Sequence, residues 1–320
     1  MNSQTEKFES GTSTLDKSPF DTLTVGRDWS IGEFMKIWWD KLGPLRYYGD
    51  FARIKILETI ASKLTGQEVC LTTDNKQNAL ILPNLEGKIV VDIGCGPGKM
   101  SKPYAHLNAQ VIGIDNNPDM IIQARKNKRD LPKNLNDVHN RLVYLQHDVC
   151  DLSKVIGNEV VDATMSAGVA IFIPPDKIEA FISKQARILK SGGFLGISTT
   201  NYELSNPDSP PKQGTAKIAD LTKIEDMQVS FEIDGESKQC MVQRIEEKYH
   251  HSKVPASESQ SFNLYLYPNQ LIVDLALKHG LKLISIEDVP VTEENLNLSE
   301  NWQGGATGYS YNTLFYFQKI

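Results

Sequence analysis

The stretch VVDIGCGPG at residues 90–98 decides the fold of this 320-residue chain. It opens with the apolar, β-branched residues of a buried strand and closes with three glycines in five positions. Glycine lets the backbone turn tightly and approach a ligand without an intervening Cβ. A plain strand–helix turn with convenient glycines is the alternative. Three glycines at the end of a strand favour a ligand site.

The order of residues in this turn limits which ligands it can bind. The dinucleotide motif GxGxxG would place its last glycine where Lys99 stands. Pro97 removes a backbone N–H at the point where a pyrophosphate needs donors. A phosphate loop fails as well, because no GK[ST] follows. The turn therefore fits a nucleoside without phosphates.

Short apolar strands alternate with amphipathic segments on both sides of this turn. The predicted strands cover residues 88–94, 109–115, 141–148, 160–168, 191–199, 281–289 and 311–320. The predicted helices cover residues 99–107, 119–128, 176–189 and 268–280. This alternation predicts an α/β fold, a doubly wound parallel sheet with helices on both faces.

Four segments are predicted along the chain. Residues 1–24 are polar and predict a flexible leader, and residues 25–65 predict an N-terminal helical cap. Residues 66–200 together with 263–320 form the predicted core. Residues 201–262 interrupt the alternation and predict an antiparallel β insertion, with a hairpin at Asp234-Gly235.

Composition excludes several classes of protein. Net charge is −6, which disfavours broad binding to nucleic acid or anionic membranes. The four cysteines form no CxxC pair and the six histidines no HExxH motif, so we expect no disulfide framework and no metal. A reducing, cytoplasmic location follows from this cysteine usage. No apolar run of 18 residues and no signal-peptide h-region is present, so we expect no membrane span.

Two acidic residues end predicted strands beside the turn. Asp115 ends the second strand, where a carboxylate accepts bonds from both ribose hydroxyls. A plainer role is to cap the helix that begins near residue 118, and the two roles are compatible. Asp148 follows the third strand, where it can accept a bond from an exocyclic amine such as adenine N6. A helix cap for the segment at residue 151 explains Asp148 equally well.

The runs VVDIGCGPG, VIGIDNNPDMIIQAR, YLQHDV and ILKSGGFLGIS, in this order, resemble the class I S-adenosylmethionine-dependent methyltransferases. The likeness covers roughly residues 85–200 and more weakly 268–320. It implies a Rossmann-like sheet of seven strands, mostly parallel, whose last strand is antiparallel. The cofactor implied is S-adenosylmethionine, with S-adenosylhomocysteine as product.

The resemblance also implies roles for individual residues. Those implied for the methionine part of the cofactor are Asp92, Gly94, Cys95, Gly96 and Gly98. Those implied for the ribose and adenine are Asp115, Asn116, Met120, Asp148 and the backbone of Val149. Those implied below the reacting end are Ser166 and Ala167.

The segment SAGVAIFIPP after the fourth strand departs from two branches of this family. It lacks the Asn/Asp-Pro-Pro-Tyr/Phe tetrad of many enzymes that methylate amide groups in nucleic acids or proteins. It also lacks the acidic ligands of a metal-dependent catechol-type site. We therefore expect a small-molecule acceptor, held in a pocket that the insertion and the N-terminal helices cover as a lid.

Candidate acceptor residues are few, and each has a plainer explanation. His250 and His251 end the insertion, and because neighbours on a strand point to opposite faces, at most one faces the pocket as a general base. A solvent-facing histidine pair is the favoured alternative. Tyr47 and Tyr48 are candidates for an apolar or cation-binding wall.

Three further side chains carry the same ambiguity. Trp39 belongs with the two tyrosines, for all of which core packing is the alternative. Phe172 is a candidate pocket wall or, more simply, a core residue. Arg53 either pairs with the cofactor carboxylate or is a surface residue of its helix.

The resulting prediction is an enzyme that transfers a methyl group from S-adenosylmethionine to N or O of a small molecule by in-line displacement. One alternative is a tRNA or RNA-cap methyltransferase, which salt-sensitive RNA binding would favour. Another is a non-catalytic adenine-nucleoside-binding protein, which would bind without turnover. A nicotinamide oxidoreductase is a distant fourth, distinguished by NADH binding. No oligomeric state is predicted.

Overall fold

The structure is a computed structural model. It describes the chain in six stretches, residues 44–69, 84–130, 136–200, 219–249, 260–290 and 310–320. The predicted leader and residues 25–43 of the predicted cap lie outside the described residues.

A seven-stranded sheet forms the centre of the protein. Its strands in chain order are β1 (Ile89–Ile93), β2 (Gln110–Asp115), β3 (Leu142–Gln146), β4 (Val161–Ala167), β5 (Leu189–Thr200), β9 (Leu281–Pro290) and β10 (Ser310–Lys319). Their spatial order is β3-β2-β1-β4-β5-β10-β9. The first five strands are parallel, and β10 runs antiparallel to both β5 and β9. The predicted doubly wound, mostly parallel sheet is confirmed.

The direction of winding reverses at β1. The chain first adds β2 and β3 on one side of β1, and then crosses to add β4 and β5 on the other side. Loops that leave the carboxyl ends of β1 and β4 therefore diverge and open a crevice between them, which is where open α/β sheets bind their ligands. The glycine-rich turn leaves β1 at this point.

Helices cover both faces of the sheet. They are α1 (Pro44–Thr65), α2 (Ser101–His106), α3 (Pro118–Arg129), α4 (Asn136–Arg141), α5 (Ile178–Ile188) and α6 (Asn269–Lys278). One buried cluster joins apolar residues of the first four helices to one face, and a second cluster joins α5 and α6 to the other. Gly196 in β5 lets α1 approach closely, since a Cβ there would lie 3.0 Å from Ile56 Cγ2.

Side chains of α3 cover the free edge at β3. Arg125 Nη2 donates to the carbonyl oxygen of Tyr144 at 2.9 Å, and Lys128 Nζ donates to that of Leu142 at 2.6 Å. An outer strand with unpaired carbonyls can recruit a strand from another chain. These two bonds satisfy part of that edge within the protein.

A separate antiparallel sheet follows β5. It consists of β6 (Ala219–Ile233), β7 (Glu236–Tyr249) and β8 (Gln260–Leu266), in that order. Asp234 and Gly235 both have positive φ, 54° and 80°, as a type I′ hairpin turn requires. Its third strand continues past residue 262, where the sequence analysis ended the insertion.

The small sheet packs against the main domain at two places. Near the hairpin turn, Phe231, Ile233 and Val242 join the core cluster that contains α6. Near its other end, three buried residues pack against the 3₁₀ turn Ala170–Phe172 that follows β4: Ile245, Leu264 and Leu266. The small sheet is therefore anchored at both the helical layer and the edge where the ligand crevice opens.

Candidate functional site

A cleft lies at the carboxyl end of β1. It is lined by Arg53, Asp92, Gly94, Cys95, Gly96, Pro97, Lys99, Met100 and Ala167. The lining residues come from α1, β1, the glycine-rich turn and the end of β4. The cleft thus occupies the crevice that the reversal at β1 opens.

The three glycines of the turn have positive φ but different surroundings. A Cβ at Gly94 would overlap Cγ2 of Val169 and lie 3.1 Å from its Cγ1. A Cβ at Gly98 would overlap the Tyr144 hydroxyl and lie 2.7 Å from its Cζ. A Cβ at Gly96 would meet nothing within 4 Å. Packing therefore requires Gly94 and Gly98, whereas Gly96 faces the open cleft where a ligand can approach the backbone.

Asp92 is the buried acid of the cleft, with 3 % of its surface exposed. Its Oδ2 accepts a hydrogen bond from Ser101 Oγ at 2.6 Å. Burial raises the pKa of Asp92 to about 7, although the bond from Ser101 and the nearby Arg53 guanidinium act in the opposite direction. A carboxyl group in a cleft whose pKa lies near 7 is typical of a functional site.

Asp115 binds the glycine turn from below. Its Oδ2 accepts from Gly96 N and its Oδ1 from Asn117 N, both at 2.9 Å. Burial raises the pKa of Asp115, and the two backbone bonds lower it. The cap of α3 is Asn117, whose Oδ1 accepts from Asp119 N at 2.9 Å, so the prediction that Asp115 caps this helix is wrong.

Asp148 lies in the loop after β3, beyond Asp115. Its Oδ1 accepts from Cys150 N at 2.8 Å, and its Oδ2 lies 3.9 Å from Lys177 Nζ. Cys150 precedes the 3₁₀ helix Leu152–Lys154, whose N-cap residue is Asp151. Asp148 thus closes a local turn, and its side chain stays 50 % exposed, so one edge is available to a ligand.

The remaining residues implied for the cofactor fall in two groups. Met120 is buried on α3, and Val149 is buried in the loop that carries Asp148. Asn116 immediately precedes Asn117, the cap of α3. Ala167 lines the cleft, but Ser166 is fully buried, and as its neighbour on β4 it points to the opposite face of the sheet. Cys95 lines the cleft with a thiol whose pKa burial raises, which suits a small packing residue rather than a nucleophile.

The predicted acceptor residues are only partly described. His250, His251 and Trp39 lie outside the described residues, and Tyr47 and Tyr48 lie in the first turn of α1. For these five residues the roles given above stay predictions.

Two of the ambiguous residues are placed more definitely. Phe172 packs against Ile245, Leu264 and Leu266 of the small sheet, which is the core arrangement. Arg53 lines the cleft opposite Asp92, which favours the cofactor role over a surface role. Val169 and Tyr144 were not predicted, because no local pattern in the sequence indicates which distant residue fills the space beside a glycine. Ser101, which donates to Asp92, was not predicted either.

Comparison with known proteins agrees with this geometry. The sequence model of a family described as a methyltransferase domain matches residues 90–193, the stretch that carries β1 to β5. Over this stretch the chain is similar to methyltransferase domains, and the match includes the glycine-rich turn and Asp115. This match agrees with the resemblance noted in the sequence.

Curated methyltransferase relatives match part of the chain. The mitochondrial ubiquinone biosynthesis O-methyltransferase of Mus musculus is 30 % identical over 173 residues, which are 51 % of this chain and 40 % of that protein. The ubiquinone biosynthesis O-methyltransferase of Bradyrhizobium sp. (strain ORS 278) is 26 % identical over 181 residues, 53 % of this chain and 61 % of that protein. The chain spans about half the length of the curated relatives it matches.

Solved structures share the fold of this chain. The PH0226 protein from Pyrococcus horikoshii OT3 aligns with a TM-score of 0.52 and 16 % identity, over 85 % of this chain and 92 % of that one. The CcbJ methyltransferase from Streptomyces caelestis aligns with a TM-score of 0.52 and 14 % identity, over 89 % of this chain and 95 % of that one.

Within the described stretches, no helix is both long and apolar enough to cross a membrane, and no group of acidic, cysteine and histidine side chains forms a metal site.

Proposed function

We propose that this protein transfers a methyl group from S-adenosylmethionine to an oxygen or nitrogen of a small molecule. The observation that carries the proposal is the open space above Gly96, in a turn that Val169 and Tyr144 fill at Gly94 and Gly98. Packing does not account for the glycine at position 96, because a Cβ there would meet nothing within 4 Å; its positive φ suits glycine, and the missing side chain leaves room for a ligand. The family match and the names of the curated relatives support the same reaction.

The residues of the cleft suit the charges of this cofactor. S-adenosylmethionine supplies the methyl group on a sulfonium, and its amino-acid end carries an ammonium and a carboxylate. Asp92 would attract the ammonium, and Arg53 would pair with the carboxylate. Both residues line the cleft, and the Arg53 guanidinium lies near enough to Asp92 to lower its pKa. The preference for a nucleoside without phosphates, inferred from Pro97, agrees with this assignment.

The sugar and the base would lie towards β2 and β3. Asp115 would accept bonds from the ribose hydroxyls with the lone pairs that Gly96 N and Asn117 N leave free. Asp148 would accept from the exocyclic amine of adenine, with its carboxylate already turned outward by the bond from Cys150 N. In this arrangement the protein binds the cofactor mainly through fixed backbone groups and carboxylates.

The acceptor would lie at the end of β4, next to Ala167. Gly168 follows with positive φ, and its N–H donates to Ser198 Oγ at 2.8 Å, which fixes the start of the loop. Tyr267 donates its hydroxyl to the carbonyl of Ile173 at the other end of the loop. Two anchors therefore hold the wall of the acceptor site, and alignment of this kind supplies much of the rate of an in-line displacement.

A transfer assay tests the proposal. The purified protein would be incubated with methyl-labelled S-adenosylmethionine and fractionated cell metabolites, with phenolic and other hydroxyl compounds first, because the curated relatives are named as O-methyltransferases. We expect label in a small organic product and S-adenosylhomocysteine in equal amount. Label in RNA would instead indicate the nucleic-acid alternative, and cofactor binding without turnover across all fractions would indicate a non-catalytic binding protein.

The variant Gly96→Val provides the control for this assay. Its side chain would fill the open space beside the cleft, so labelled product should fall to background. Full activity in this variant would contradict the proposed location of the cofactor. We also propose that the acceptor is a small molecule and that the protein is cytoplasmic.

A further inference from the structure

We propose that Ser101 and Tyr144 are positioning residues that fix the orientation and the charge of Asp92 at the base of the cleft. This inference rests on the proposed function and extends it to two residues that lie behind the cleft and do not line it. Ser101 is fully buried in the first turn of α2, and Tyr144 is 4 % exposed on β3. Neither residue is required to touch the cofactor.

Hydrogen bonds connect the three side chains in a row. Ser101 Oγ donates to Asp92 Oδ2 at 2.6 Å. The Tyr144 hydroxyl is hydrogen-bonded to Ser101 as well; its single proton is donated either to Ser101 Oγ or to the carbonyl of Gly98, 3.4 Å away. Burial raises the pKa of Tyr144, so the phenol keeps its proton and remains a donor. The serine hydroxyl is thereby held between a tyrosine on one side and the aspartate on the other.

The packing around Tyr144 leaves its ring little freedom. A Cβ at Gly113 would lie 2.6 Å from Tyr144 Cδ1, and Gly98 is restricted by the same ring. The ring therefore lies between β2 and the glycine turn, where two glycines make room for it. Such a fixed ring keeps the phenol oxygen, and through it the Ser101 hydroxyl, at one position beneath the turn.

Asp92 needs a donor of this kind because its burial and the Asp115 carboxylate both oppose a negative charge. Burial is the largest influence on the pKa of Asp92 and raises it, and the Asp115 carboxylate adds to the rise. The groups that face it are Arg53 from α1, Cys95 from the turn, Ser101 and Tyr104 from α2, Asp115 from β2 and Tyr144 from β3. Of these groups, Ser101 and Arg53 lower the pKa of Asp92, and Ser101 is the larger influence.

The consequence is a cofactor affinity that depends on pH through this row of hydroxyls. The ionised carboxylate attracts the ammonium of the cofactor, and the protonated carboxyl does not. Because the pKa of Asp92 is raised to about 7, affinity should fall as the pH drops below neutrality. Loss of one hydrogen bond to a charged group is equivalent to about one pKa unit. Without Ser101 the fall should begin about one pH unit higher.

The test is calorimetric titration of S-adenosylhomocysteine into the wild type and Ser101→Ala at several pH values. We expect the variant to bind about five- to tenfold more weakly between about pH 6 and pH 7, and less than twofold more weakly near pH 8.5. Tyr144→Phe should shift the profile in the same direction by a smaller amount. A Ser101→Ala profile that is uniformly weakened, with its pH dependence unchanged, would show a merely structural role and overturn the proposal.

Two controls separate this effect from general damage. Ser183→Ala also removes a partly buried hydrogen bond, the one that Ser183 Oγ donates to the carbonyl oxygen of Ala180 at 3.0 Å on α5. This variant should leave the pH dependence of S-adenosylhomocysteine affinity unchanged. The ligand 5′-methylthioadenosine lacks the amino-acid end, so its affinity should be the same in the wild type and in Ser101→Ala at every pH. A pH-dependent loss with this ligand would also contradict the role assigned to Asp92.

A second measurement does not depend on the cofactor. The carboxyl carbon of Asp92, assigned with the variant Asp92→Asn, can be titrated by nuclear magnetic resonance in the protein alone. We expect the midpoint to rise in Ser101→Ala, and an unchanged midpoint would overturn the inference. If the wild type binds no S-adenosylhomocysteine at any pH, the proposed function fails, while this titration still decides the role of Ser101.

Discussion

The cofactor cleft and the small sheet contribute to the stability of the fold with opposite signs. The cleft contains glycines at positive φ and the Asp92 carboxyl, whose raised pKa shows that burial disfavours its charge. The small sheet contains alternating apolar residues, of which Phe231, Ile233 and Val242 are buried against α6. The cleft therefore reduces the stability of the fold, and the small sheet adds to it. Substitutions in the two regions should separate binding from stability.

The largest expected effect is in the small sheet. Phe231→Ala should lower the free energy of unfolding by about 3–5 kcal/mol, because it removes a buried aromatic ring from the core. Affinity for S-adenosylhomocysteine in the folded fraction should be unchanged. Chemical denaturation and calorimetry measure the two quantities.

Met241 provides the matched control on the next strand. Its side chain is 44 % exposed, so Met241→Ala should change the unfolding free energy by less than about 0.5 kcal/mol. Equal effects of Phe231→Ala and Met241→Ala would mean that the small sheet is not anchored in the core.

Asp92→Asn should act in the opposite direction. The folded-state pKa of Asp92 is raised from 3.8 to about 7, so its contribution to stability is greatest at low pH and is lost as the pH rises through about 7. At pH 8 the neutral amide should stabilise the protein without cofactor by on the order of 2–4 kcal/mol. The same change should weaken cofactor binding by more than about tenfold.

Thermal denaturation of both proteins between about pH 5 and pH 8 checks this prediction. The gain in stability of Asp92→Asn should grow with pH over that window. A variant that is less stable than the wild type at pH 8 would show that the carboxylate supports the fold, and the contrast between the two regions would be lost.

A smaller contrast lies inside the glycine turn. Gly98→Ala places a Cβ against the Tyr144 ring and should destabilise the fold by about 2–3 kcal/mol. Gly96→Ala has open space around it, so only the backbone strain of about 1–2 kcal/mol remains. Denaturation curves of the two variants measure this difference. If Gly96→Ala is the more damaging, the space above Gly96 is not open in solution.

Much of the fold is predictable from the sequence, because buried parallel strands carry continuous runs of Val, Ile and Leu. The runs that become β1 and β2 are recognisable on that ground alone. Asp234-Gly235 identifies its hairpin because the turn requires positive φ at both residues. The short helix Asn136–Arg141 carries no such apolar run and was not predicted.

The site is predictable only where one local segment forms it. The glycine turn and Asp115 are recognisable from residue type and spacing. Val169 and Tyr144 are not, since each fills space beside a glycine that lies more than 40 positions away in the chain. Asn117 was missed as the cap of α3 because Asp115, two residues earlier, is an equally good capping type.

The most direct test of the central claim compares two carboxylates that both accept a backbone N–H. Asp115 accepts from Gly96 N at the cleft, and Asp162 accepts from Ile89 N at 2.9 Å at the amino ends of β1 and β4, the end of these strands away from the cleft. Calorimetric titration with S-adenosylhomocysteine should show binding in the wild type and in Asp162→Ala, and a loss well over tenfold in Asp115→Ala. Unchanged affinity in Asp115→Ala, or an equal loss in both variants, would contradict the account.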